Sequence, residues 1–177
     1  IGAKRRRLGQ IIAVCPLPLE RLALLPDILF LDIETTGFLT GSSSIYLIGC
    51  AYYEDGNWKL RQWFAQTPDE ESEILSAFLT FAEPYSYLIH YNGNTFDLPF
   101  LRKKADKYGI SYTLSSKKGL DIFRRITPYK NFLKLPDCKL KTIESFLGIH
   151  REDIYTGGQL IQVYHDYTSS HDYDLYH

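Results

Sequence analysis

The chain has 177 residues, 45% apolar and 23% charged, the composition of one ordinary globular domain with room for a sizeable core. No apolar run approaches the length a membrane span needs, so no membrane partner is expected. A formal net charge of −1 favours no partner by itself.

Charge distribution says more. From Arg102 to Lys141 twelve basic residues face three acids, which leaves +9 in that stretch and −10 in the rest. Such asymmetry suggests a polyanion on one side of the molecule. Three widely spaced cysteines, Cys15, Cys50 and Cys138, suit reduced thiols and a cytoplasmic setting. There is no methionine, even at position 1, so the chain is expected to be part of a longer translation product.

Residues 1–27 read as an arm. It carries Arg5, Arg6 and Arg7, while Pro16, Pro18 and Pro26 break any long helix. The domain proper is expected over 28–177. Ile28 to Ile33 is apolar except for Asp32 and reads as a buried strand ended by Thr35-Thr36-Gly37. Ile45 to Tyr53 and Trp58 to Ala65 are the next two strands, joined by the turn Glu54-Asp55-Gly56-Asn57, so the three are expected to be antiparallel. Thr67-Pro68-Asp69-Glu70 has the form of a helix start, and Ile74, Leu75, Phe78, Leu79 and Ala82 supply that helix with an apolar face. Tyr85 to Tyr91 is a fourth strand broken by Asn92-Gly93-Asn94. A helix follows from Phe96 to Tyr108, stopped by Gly109. Gly119 to Phe123 is a short fifth strand, and helices are expected over 140–147 and 159–167. The order predicts an α/β domain with a mixed sheet, three antiparallel strands and then parallel ones, with helices on its faces.

Asp32 and Glu34 are two apart, so a strand points them to one face. Two like charges side by side repel unless a cation lies between them, and a hard divalent ion takes oxygen ligands. Asp97 is the third acid, in the first turn of a helix that begins just past the fourth strand. If that strand neighbours the first, Asp97 reaches Asp32 and Glu34. Asp121 reads as structural, and His90 as a core histidine.

Leu31-Asp32-Ile33-Glu34-Thr35-Thr36-Gly37 resembles the first exonuclease motif of the DEDD superfamily. Tyr91-Asn92-Gly93-Asn94-Thr95-Phe96-Asp97 resembles the second. The likeness covers roughly residues 28–166 and is nearest to the bacterial RNase H-like exonuclease-domain proteins. It implies an RNase H-like fold with helices on both faces of the sheet, and 3′→5′ cleavage at a single-stranded DNA or RNA end. It also implies two divalent metal ions, Mg²⁺ or Mn²⁺, held by Asp32, Glu34 and Asp97 as the catalytic acids. Thr35, Thr36 and Asn92 match positions that contact the terminal nucleotide. Lys103, Lys104, Lys107, Arg124, Arg125 and Lys130 are expected along the strand's path, with Arg124 and Arg125 as nucleic-acid contacts.

The fourth acid of the superfamily follows a His by four or five residues or a Tyr by four, and no pair in the tail fits. Tyr167 and Asp172 are five apart, and His171 and Asp174 three apart. The chain as given is therefore expected to be a poor nuclease. The competing expectations are a catalytically impaired RNase H-like binding module, and an interaction domain with no nucleic-acid role. The oligomeric state stays open.

Overall fold

A computed structural model describes residues 26–38, 43–150 and 155–170. The expected arm, apart from Pro26 and Asp27, lies outside those residues, as do His171, Asp172 and Asp174 of the tail.

Five strands form one sheet in the order β3-β2-β1-β4-β5. They are β1 (Ile28–Thr35), β2 (Ile45–Glu54), β3 (Asn57–Phe64), β4 (Tyr87–His90) and β5 (Lys118–Asp121). β1 pairs antiparallel with β2, and β2 antiparallel with β3. β1 then pairs parallel with β4, and β4 parallel with β5. This is the expected mixed sheet, with the fourth strand beside the first.

β1 is not buried on both faces. Leu29, Leu31, Ile33 and Thr35 are buried, while Ile28, Phe30, Asp32 and Glu34 alternate with them half-buried. Two helices explain the buried side, α1 (Glu71–Ala82) and α2 (Asp97–Tyr108). Phe78, Leu75, Phe100 and Leu101 pack with Leu31, Ile48 and Leu88 into one core. Leu47 and Phe64 point the other way. They meet the last helix, α5 (Gly157–Ser170), whose Tyr164 stacks on Tyr46 at 4.3 Å between ring centres. Between them in sequence lie two short helices, α3 (Ile122–Ile126) and α4 (Leu140–Phe146).

Two ends differ from the sequence reading. The helix expected from Thr67 opens as a single 3-10 turn, Pro68–Glu70, before α1. Thr67 caps no backbone group; instead Glu70 reaches back to accept from the Gln66 amide at 2.8 Å. The fifth strand stops at Asp121, because the Asp121 carboxylate accepts from the Phe123 amide and turns the chain into α3.

Candidate active site

The acids come to one region, where β1 outruns its neighbour. β4 pairs with β1 only as far as Phe30 opposite Ile89. Beyond that point a β1 amide facing β4 needs another acceptor, since an unpaired buried N–H is costly. The Ile33 amide finds it in Asp97, donating to Oδ1 at 3.1 Å. Asp97 is buried as the first residue of α2, where a carboxylate also suits the helix N-terminus. So the third acid is fixed to the backbone of the residue between Asp32 and Glu34.

Asp32 and Glu34 share the half-buried face of β1, opposite Gly49 and Leu47 of β2. The register slips between Glu34 and Thr35, an irregularity of the kind that re-aims side chains beside active sites. Glu34 lies close enough to Tyr46 for its charge to act there. Burial first, and then the Glu34 charge, push the Tyr46 hydroxyl well above the usual tyrosine range. Thr35 donates to the Gly37 carbonyl at 2.6 Å, and the Thr36 hydroxyl accepts from the Ser44 amide at 2.9 Å. Both hydroxyls therefore hold the turn that ends β1.

Across the gap, Asn92 adopts a left-handed backbone, φ 60°, which asparagine tolerates better than most residues. Its amide donates to Asp121 Oδ1 at 2.8 Å, so Asp121 braces the motif turn as well as capping α3. Gly93 is required by close approach: a Cβ there would lie 2.8 Å from the His90 ring. The Gly93 amide donates to His90 Nδ1 at 3.1 Å, which makes Nδ1 the acceptor and leaves the proton on Nε2. Burial holds the His90 pKa below its ordinary value; the Asp121 charge opposes that and Arg124 assists it.

A cavity of about 640 Å³ opens beside these groups. Asp32, Asn92, Tyr91, Phe123, Thr127 and Lys130 are among its walls. Tyr91 and Phe123 meet edge to face at 5.9 Å, and the Tyr91 hydroxyl donates to the Cys138 carbonyl. Of these walls, Tyr91, Phe123 and Thr127 were not singled out as functional in the sequence; the aromatics beside Asn92 and Asp121 were the signal available.

The basic stretch needs one correction. Lys104 is not on a strand path but buried, donating to the Ser43 carbonyl and to Glu71 at 3.0 Å. It occupies the inner face of α2 with Asp97, Phe100, Leu101 and Ala105. Lys107 spends its ammonium on the Tyr108 hydroxyl at 2.9 Å, and Lys117 on backbone carbonyls of Glu83 and Tyr85. Arg124 and Arg125 are exposed, although Arg124 Nε lies 3.8 Å from Asp121.

Carboxylates are the right donors for a hard divalent cation. A carboxylate accepts at about four lone-pair positions, so the Ile33 bond does not exhaust Asp97. The donor chemistry thus fits, but among the described residues no three His, Cys, Asp or Glu side chains are gathered into a ready-made cation site. The three acids share a neighbourhood, not a formed coordination shell.

No helix among the described residues is long and apolar enough to cross a membrane. A DNA polymerase of Thermococcus hydrothermalis is 30% identical over 153 residues, which is 70% of this chain and 9% of the polymerase. The chain thus spans under a tenth of that relative. The family B DNA polymerase of Pyrobaculum calidifontis superposes with a TM-score of 0.63 at 16% identity, over 78% of this chain and 21% of that one. The zinc-ion-bound ExoI–ssDNA complex of E. coli gives 0.54 at 13% identity, over 84% and 41%. The shared fold is the RNase H-like fold of DEDD 3′→5′ exonuclease domains. The RNase H superfamily model matches residues 29–177, nearly the whole sheet and its helices, and the chain belongs to that superfamily.

Proposed function

We propose that this domain hydrolyses phosphodiester bonds from the 3′ end of single-stranded nucleic acid, using two divalent cations, Mg²⁺ or Mn²⁺. One observation carries the reading: the Asp97 carboxylate is seated on the Ile33 amide, between Asp32 and Glu34. Superfamily membership and the fold shared with an ssDNA-bound, zinc-bound exonuclease support it.

Asp32, Glu34 and Asp97 would hold the cations. When bound, the metals supply a nucleophilic water at neutral pH and charge stabilisation for the leaving oxygen. The chain's own groups orient the substrate. Thr35 and Thr36 fix the end of β1, and Asn92, at the cavity wall, meets the terminal nucleotide. Arg124 and Arg125 are exposed cations for phosphates, which set position without reading sequence. The buried free thiol of Cys138 agrees with a reducing, cytoplasmic setting.

A second reading is a nucleic-acid-binding module that does not cleave. It is favoured by the lack of a gathered three-acid site among the described residues. Single strands of DNA and RNA labelled at the 5′ end, incubated with Mn²⁺ or with chelator, separate the two. Slow progressive shortening from the 3′ end in Mn²⁺ alone is the expected result, slow because no fourth acid fits the tail. Salt-sensitive binding without shortening supports the module, and neither binding nor shortening contradicts both.

A further inference from the structure

Tyr129 and Phe132 are 59% and 84% exposed, two large rings within four residues. Aromatic side chains dominate contact energetics when they are covered, so rings left in water ask for an occupant. They do not hang on a loose loop. The Lys130 amide donates to Thr127 O, Leu133 to Tyr129 O and Leu135 to Lys130 O, with Leu135 buried as an anchor. The 3-10 turn covers only Thr127–Tyr129, and the Leu133–Tyr129 bond closes an α-type turn over both rings, in which residues three apart are neighbours.

The surroundings state the chemistry of the occupant. Between positions 124 and 141 lie Arg124, Arg125, Lys130, Lys134, Lys139 and Lys141, against the single acid Asp137. The Asp137 carboxylate is already engaged by the Lys139 amide and the Thr142 hydroxyl. Thr127 and Lys130 line the same cavity as Asp32 and Asn92, so the segment begins at the lip of the candidate active site. Rings interleaved with cations suit bases whose faces are free, and duplex bases cover one another.

We propose that Tyr129 and Phe132 form a stacking platform for unpaired bases of the strand whose 3′ end lies at Asp32, with Arg125, Lys130 and Lys134 supplying charge for its phosphates. This rests on the single-strand reading above and adds where the body of the strand runs.

The test is anisotropy with labelled oligothymidylates of about four and about twenty nucleotides, in chelator, for the wild type and the variant Y129A/F132A; single-strand sites of this kind span roughly 4–16 nucleotides. The variant is expected to bind the long strand at least about tenfold more weakly, with an unchanged salt slope, because stacking rather than counterion release is lost. The short strand is expected to bind as before, and the ring-preserving variant Y129F/F132Y to bind both like the wild type. Unchanged long-strand affinity in Y129A/F132A overturns the platform. Equal weakening of both lengths overturns it too, since the damage would then lie in the site. Self-association lost in the variant would assign the rings to an interface between copies instead. A wild type that binds neither length would sink the single-strand reading itself.

Discussion

His90 ends β4 with its ring enclosed, its Nδ1 accepting from Gly93 and its pKa held down by burial. Below the ordinary histidine value of 6.5 the unfolded chain takes up the proton before the folded one does. The unfolded state then binds more protons, so stability rises with pH across that window. Urea unfolding should show stability held above about pH 6.5 and falling beneath it. In His90→Asn, which keeps an acceptor for Gly93, that part of the acid-side loss should vanish and the carboxylate part remain. An identical pH profile in the variant would mean that His90 titrates as it does in the unfolded chain. The sequence placed this histidine inside a strand. It could not show that Gly93 is glycine because the ring lies under it, since that contact exists only once the turn is folded.

At the scale of elements, one buried cluster ties α1, α2 and the start of β2 together. Glu71, fully buried, accepts from the Ile45 amide at 2.6 Å, from Lys104 and from the Tyr108 hydroxyl. Lys104 also holds the Ser43 carbonyl, in the segment that follows the Thr35-Thr36-Gly37 turn. Removing one partner of a buried pair strands the other charge, which typically costs about 3–5 kcal/mol. Lys104→Met, which keeps the stem's packing, should cost about that much in urea unfolding at neutral pH, and adding Glu71→Gln should recover part of it. A cost below about 1 kcal/mol would show the pair to be marginal. The amphipathic spacing of α2 was legible, and it carried the signal that was passed over: Lys104 falls in step with Phe100, Leu101 and Ala105. Counting charge along the chain ignores such phase, which is why the basic stretch looked more exposed than it is.

For the whole molecule, the mixed pairing followed from turns, alternation and crossover helices, while the place of β4 beside β1 was only a condition until the sheet was seen. Thus Glu54-Asp55-Gly56-Asn57 set the antiparallel β2–β3 pair, and the helix between β3 and β4 carried the chain to the far side of β1. The two motifs located the acids at one end of the sheet. What pattern alone could not give is the seat of Asp97, because its partner is a backbone amide 64 residues away that only the short reach of β4 exposes. The measurement that bears most directly on the account is Mn²⁺ binding followed by electron paramagnetic resonance, for the wild type, Asp32→Asn and Asp97→Asn. An asparagine at 97 keeps an oxygen for the Ile33 amide and removes only the charge, so the fold should stand. Both variants should bind Mn²⁺ at least about tenfold more weakly, as loss of a ligand must cost no less than loss of its supporting shell. Wild-type affinity in Asp97→Asn would contradict the account, because Asp97 would then serve the backbone of β1 and not the metal.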